Sequence, residues 1–200
     1  MVDAVPANRT DKRPIGPEDL YRLQSVGEVA LHPDGGSIAY SVTWPDKTTD
    51  ANRSQLHLYQ DGASHQLTYG HRDGNARFSS SGSHLAFIRR EQGEPAQLMV
   101  LGWADRTLRS VASFIDDLST VEWLPDGRLV ALAPTRPADQ VDVSDDELAR
   151  RPRVITRLSY RFNGRGWTHD RPQQVFLVAV DLDDPEADPT VTSLTELFDK

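Results

Sequence analysis

Apolar and polar residues alternate along most of this chain, and three stretches repeat the same alternation around a glycine. They read Val29-Ala30-Leu31-His32-Pro33-Asp34-Gly35-Gly36-Ser37-Ile38-Ala39-Tyr40, then Ala76-Arg77-Phe78-Ser79-Ser80-Ser81-Gly82-Ser83-His84-Leu85-Ala86-Phe87. The third is Val121-Glu122-Trp123-Leu124-Pro125-Asp126-Gly127-Arg128-Leu129-Val130-Ala131-Leu132. Aligned without a gap on the glycine, each has a large apolar residue four before it, an aliphatic three after and alanine four after. The glycines stand 47 and then 45 residues apart, a period typical of repeat architectures.

Pro-Asp-Gly is turn chemistry: proline presets φ, aspartate bonds its own backbone, and glycine accepts positive φ. The flanking apolar residues sit at strand spacing, so each copy reads as a β-hairpin. In the first, Ile38, Tyr40, Val42 and Trp44 line one face, and Ser37, Ala39, Ser41 and Thr43 the other. A bulky face backed by a small one suits sheets stacked radially. A third strand recurs as Gln55-Leu56-His57-Leu58, Gln97-Leu98-Met99-Val100 and Gln174-Val175-Phe176-Leu177. A fourth ends in Leu67-Thr68 and in Leu194-Thr195, with a poor match near Leu108 to Val111. Four short antiparallel strands per period make the blade of a β-propeller.

The expected fold is therefore all-β, a partial propeller over 27–200 with blades at 27–70, 71–118 and 119–195. The third blade holds an insertion at 134–172, where Ser144-Asp145-Asp146-Glu147 is a capping box opening a short helix. Pro17-Glu18-Asp19-Leu20 opens an N-terminal helix over 17–26, and residues 1–16 are expected to be disordered. Propellers close with about four to eight blades. Three blades leave the circle open, so the expectation is that these residues begin a longer protein.

Charge narrows the partners. A net charge of −8 repels nucleic acid phosphates and anionic membranes, so neither is expected as a partner. No apolar run reaches membrane-spanning length, and Met1 to Pro14 lacks the apolar core of a secretory signal, which points to the cytoplasm. The absence of cysteine excludes disulfides, thiolate metal sites and cysteine nucleophiles.

The segment Pro17-Glu18-Asp19-Leu20-Tyr21-Arg22-Leu23, followed by Leu31-His32-Pro33-Asp34-Gly35-Gly36, resembles the N-terminus of the prolyl oligopeptidase family in its acylaminoacyl-peptidase branch. Val154-Ile155-Thr156-Arg157-Leu158-Ser159-Tyr160-Arg161 with Asn163-Gly164-Arg165-Gly166 resembles the third blade of those enzymes. The resemblance implies a serine peptidase for short or N-acylated peptides, in which a propeller gates substrate for a Ser-Asp-His triad in a C-terminal α/β-hydrolase domain. That domain and its peptide substrate are the implied partners, and a homo-oligomer is left open. No Gly-x-Ser-x-Gly elbow occurs here, so no catalytic residue is carried over and the chain alone is expected to be inactive. The alternative is a non-enzymatic TolB-like propeller serving as a protein-interaction platform. A weaker third reading is a nucleic-acid-binding module.

Ser79 to Ser83 occupies the turn of the repeat and reads as a turn. The histidines at 32, 57, 65, 71, 84 and 169 lack metal-site spacing, and Asp181 to Asp188 lacks the ligand order of a calcium loop, so no metal or cofactor is expected. Arg150, Arg151, Arg153, Arg157, Arg161 and Arg165 are interleaved with Tyr160, Phe162 and Trp167. Arginine among aromatics suits internal ion pairs, a protein interface or carboxylate recognition. Arg157, Tyr160, Arg161, Arg165 and Trp167 are the candidate residues, facing the hydrolase domain, the substrate passage or a neighbouring subunit.

Overall fold

Turn geometry sets the frame of the molecule. The computed structural model describes residues 13–155, 158, 160–163, 166–168, 171–182, 184 and 187–195. Gly35, Gly82 and Gly127 have φ of 72°, 74° and 85°, the left-handed region that glycine enters without strain. The first blade comprises β1 (Ser25–Leu31), β2 (Ser37–Asp46), β3 (Ala51–Gln60) and β4 (Ala63–Gln66). The second comprises β5 (Arg72–Phe78), β6 (His84–Arg90), β7 (Ala96–Gly102) and β8 (Leu108–Phe114). In the third, β9 (Thr120–Trp123) and β10 (Leu129–Pro134) precede a small hairpin of β11 (Arg161–Phe162) and β12 (Gly166–Trp167). β13 (Gln173–Ala179) and β14 (Thr190–Ser193) then complete the sheet. Each blade is an antiparallel meander, and one parallel pair, Ser54 opposite Arg72, links the sheets of the first two. The chain is thus an all-β partial propeller of three four-stranded blades.

The repeated Leu-Thr pair has a definite role. Leu67 N donates to Leu56 O at 2.8 Å, and Thr68 Oγ1 accepts from Leu56 N at 3.0 Å. Leu194 N and Thr195 Oγ1 treat Val175 the same way, at 2.7 and 2.9 Å. A side-chain oxygen here stands in for a backbone carbonyl and ends the outer strand.

The gapless alignment needs one correction. Leu31 stands opposite Ile38 and Phe78 opposite Leu85, but Trp123 stands opposite Leu129 rather than Val130. Only Arg128 separates Gly127 from Leu129, whereas two residues follow Gly35 and Gly82 before Ile38 and Leu85. The third loop is shorter, with Leu124 N donating to Arg128 O where His32 and Ser79 donate to Ser37 and His84. A slip of one residue sends every side chain of a strand to the opposite face. Ala39 and Ala86 are therefore equivalent and Ala131 is not. The recurring glutamines confirm the slip: Gln55, Gln97 and Gln174 stand opposite Val42, Arg89 and Ala133.

The faces pack accordingly. Ala39 and Leu56 of the first blade meet Leu85, Phe87, Met99 and Leu101 of the second. The second blade's other face, with Ala86, Ile88 and Val100, meets Val121, Leu129, Ala131 and Val178 of the third. Full burial of a Leu or Phe side chain contributes about 1.5–3 kcal/mol, so these two seams carry most of the stability. The turn ends add an aromatic staple. The His32 ring stacks on Trp103 at 5.3 Å and meets the edge of Phe78 at 4.8 Å, with its Nε2 3.0 Å from Gly82 O. Asn75 Oδ1 accepts from Val121 N at 2.9 Å, and Trp123 Nε1 donates to Arg77 O at 2.9 Å, tying the inner strands of blades two and three.

The N-terminal element is shorter and tighter than a helix over 17–26. It is a 3₁₀ helix over Pro17–Arg22; Leu23 is already extended and β1 begins at Ser25, because Val26 pairs with Val42. Residues 1–12 of the segment expected to be disordered lie outside the described residues, while Arg13 forms an ion pair with Asp19. That guanidinium, with the Gly16 N–H, holds the Asp19 carboxyl well below the usual carboxylate range. Among the described residues no helix is long and apolar enough to cross a membrane.

Two glycines separate strain from crowding. At Gly127 a Cβ would meet open space, but at Gly82 it would lie 2.5 Å from His32 Nε2. Gly127→Ala should cost about 1–2 kcal/mol of left-handed strain. Gly82→Ala should exceed it by about 1 kcal/mol, because His32 must leave its aromatic partners. Urea unfolding of the two variants measures the difference; equal losses would mean that His32 contributes nothing at this seam.

Candidate functional site

The insertion leaves the third blade between β10 and β13, and Thr135 N bonding to Pro172 O at 2.9 Å pins its two ends together. Strands alternate in direction, so this connection lies at the same end of the sheets as the linkers between blades. One arginine ties it there. Arg136, with a side chain only 7% exposed, reaches Asp116 in the linker between blades two and three at 2.6 Å. It also contacts Asp145 at 2.7 Å and donates to Val143 O at 2.8 Å. Arg171 approaches Asp116 from the far end of the insertion at 3.3 Å. Asp116 pushes the Arg136 guanidinium above its usual range, first through the hydrogen bond and then through charge, against the opposing effect of burial.

Beyond that anchor, helix α1 (Asp145–Arg150) starts at Ser144, whose Oγ accepts from Glu147 N at 3.3 Å. The Glu147 side chain pairs with Arg151 at 2.9 Å. Leu148 is the buried residue of α1. The chain then crosses to the β11–β12 hairpin, which places Arg161 directly opposite Trp167.

Trp167 is the centre of the cluster. The guanidinium carbons of Arg153 and Arg161 lie 4.6 and 5.6 Å from its ring centroid, and the Tyr160 ring lies 5.8 Å away at 34°. Cations over an indole face are attracted by its quadrupole, by about 0.5–1 kcal/mol at exposed sites. Trp167 borders a cleft of 510 Å³ shared with Asp145, Arg151 and Arg171, and another of 490 Å³ shared with Phe162 and Thr168. Val154 is 76% exposed, Leu158 100% and Phe162 53%, so the insertion exposes apolar side chains as well as arginines.

Of the candidates, the structure brings Tyr160, Arg161 and Trp167 together; Arg157 and Arg165 lie outside the described residues. Arg153 joins the cluster at the ring face. Arg136 and Arg171 were missed, because each stands apart in sequence from the arginine run. A signal was available: they flank the insertion at either end, where buried charge would be needed to hold it. The other clusters serve the fold. Ser81 Oγ accepts from Ser83 N at 3.3 Å, standing in for the turn aspartate, as Asp34 Oδ1 accepts from Gly36 N in the first copy. In the acidic loop the carbonyls of Asp181 and Asp184 accept from Arg109 of β8 at 3.3 and 3.2 Å, which ties the loop to the second blade.

No family model matches the chain. It is 28% identical over 176 residues to Uncharacterized peptidase YuxL of Bacillus subtilis (strain 168), a match that covers 84% of this chain and 27% of the relative. The acylaminoacyl peptidase of Pyrococcus horikoshii superposes with a TM-score of 0.66 at 14% identity, over 88% of this chain and 26% of that one. The propeller domain of the Trilobed protease from Pyrococcus furiosus gives 0.51 at 12% identity, over 86% of this chain and 44% of that one. The chain shares the propeller fold of these two proteins. It spans about a quarter of the length of the curated relative it matches. The AtxE2 isopeptidase shares the fold as well, with a TM-score of 0.61 at 21% identity, over 94% of this chain and 33% of that one.

The buried anchor of the insertion is testable apart from any activity. Asp116→Ala leaves Arg136 buried without its main partner, a change that typically costs about 3–5 kcal/mol. Asp116→Leu combined with Arg136→Met should recover much of that loss, since an apolar pair removes the stranded charge. Chemical unfolding decides it: a double variant no better than Asp116→Ala would mean that the insertion is held by other contacts.

Proposed function

We propose that this chain is the propeller portion of a cytoplasmic serine peptidase that hydrolyses short or N-acylated peptides. In this reading a C-terminal α/β-hydrolase domain supplies the Ser-Asp-His triad, and the propeller limits and orients what reaches it. The observation that carries the reading is the insertion. Arg136, its side chain buried, and half-buried Arg171 hold it to Asp116 at the linker end of the blades, and it presents Trp167, Tyr160, Arg153 and Arg161 outward. A peptide offers what that surface fits: carboxylates and carbonyls for guanidinium groups, and side chains for an indole and exposed Phe162. Sequence relationship to a peptidase supports the same direction.

Substitution on the full-length polypeptide tests it. Trp167→Ala, and charge reversal at Arg157 and Arg161, should lower kcat/KM for a short N-acylated peptide by about tenfold, equivalent to ~1.4 kcal/mol of transition-state binding. Hydrolysis of a small activated ester, which needs no peptide orientation, should change little. Unchanged peptide kinetics in all these variants would remove the insertion from substrate handling. Failure of the unsubstituted full-length protein to cleave any short peptide would remove the peptidase reading itself.

A further inference from the structure

A cleft of 640 Å³ opens between the outer strands of the first and second blades and shares no residue with the insertion. Leu58 and Leu101 are buried in its wall, while Leu108 and Tyr69 stand exposed at its mouth. Four titratable side chains reach it: His65, Arg89, Glu91 and Arg106. Arg89 is committed, since its Nε and Nη2 donate to Asp73 at 2.8 and 2.9 Å, with Glu91 3.8 Å from Nε. Arg106 is not. Among the described residues its guanidinium has no carboxylate partner and donates no hydrogen bond; it lies over the Trp103 ring, 4.0 Å from the centroid. The neighbouring Asp105 carboxylate accepts instead from Thr107 N and Oγ1, at 3.1 and 2.9 Å. Partial burial with no acid to offset it lowers the Arg106 guanidinium below its usual range.

The backbone marks the same residue. Arg106 has a φ of 61°, and the other described non-glycine residues with positive φ are Asp50, Asp61, Asn75 and Asp117. Aspartate and asparagine enter that region because a short polar side chain can bond locally, which a long one does not. The matching turn of the first blade, between β3 and β4, uses Asp61 and Gly62. Backbone strain held by a residue that local preference does not favour gathers at ligand sites. The platform under Arg106 is fixed. Trp103 N donates to Ser83 O at 2.8 Å, and its ring meets Phe78 at 4.9 Å and His32 at 5.3 Å. A guanidinium over an indole keeps its N–H donors, which point from its edge, free for both oxygens of a carboxylate.

We propose that the cleft between the first two blades binds a small carboxylate with an apolar body, its oxygens on Arg106 and its body against Leu58, Leu101 and Leu108. The leucines select the body, because an ion alone would leave their surface in water. Arg106 selects the charge, because no other cation of the cleft is without a carboxylate. The proposal stands independently of the peptidase reading.

The probe is N-acetyl-photoleucine, a diazirine-bearing carboxylate of this class. Irradiated with the full-length polypeptide and read by peptide mass, it should label segments 58–70 and 101–108. N-Acetylleucine should suppress that labelling at least about tenfold more effectively than N-acetylleucinamide or inorganic phosphate. Arg106→Gln removes the charge and keeps the length, and Arg106→Gly also relieves the backbone; each should lower labelling there by about tenfold. Undiminished labelling in either variant, or labelling confined to other segments, overturns the proposal. Equal suppression by the amide leaves an apolar cleft without an anion site, and equal suppression by phosphate leaves a bare charge; each overturns it too. Peptide hydrolysis is followed separately, so a protein that labels at the cleft without cleaving peptides refutes the peptidase reading alone.

Discussion

Each blade must offer a face of one kind to the blade before it and of another to the blade after, and everything else in the molecule follows from meeting that requirement. Ala39 lets the first sheet approach Phe87 closely, and Ala86 does the same for the second sheet towards the third. Interiors are packed as densely as organic crystals, so a misplaced methylene at such a seam is felt. The turn residues matter because they decide which side chains arrive at which face. Gly82 shows the coupling directly: its positive φ shapes the hairpin, and its missing Cβ leaves room for His32 from the neighbouring blade.

The third blade meets the requirement by a different route. Its shorter loop turns Leu129, Ala131 and Ala133 towards the second blade, and all three are fully buried. The small Ala131 then leaves space that Trp123 and Phe176 fill from the flanking strands. Bulk moved from the second strand of the sheet to the first and third, and the seam stayed filled. Volume was conserved although position was not, which is how cores tolerate large changes in sequence.

Several ion pairs gather at the linker end of the blades. Asp73 is fully buried against Arg89, Asp117 meets Arg90, and Asp116 meets Arg136 and Arg171. All lie at or beside the linkers between blades, where loops leave backbone groups that no strand satisfies. Breaking such pairs is costly even though forming them gains little, so they hold the loops in one arrangement. The insertion uses the same device, which makes it a fixed extension of the linker end. Trp167 and its arginines are thereby carried on an anchored base.

The hairpins, the three-fold period, the recurring third strand and the family resemblance were legible in the residues alone, because turn chemistry and strand alternation are local. The aromatic-arginine cluster was legible as composition. The slipped register of β10 was not. Alanine happens to recur four places after each glycine, and only cross-strand pairing with Trp123 shows that Ala131 faces the other way. Arg136 was marked only by its place at the mouth of the insertion; Asp116 and Asp145, which pair with it, are brought there by the fold. Local preference decides what each segment becomes. Which face it turns inward, and which charge it must answer, depends on neighbours that are distant along the chain.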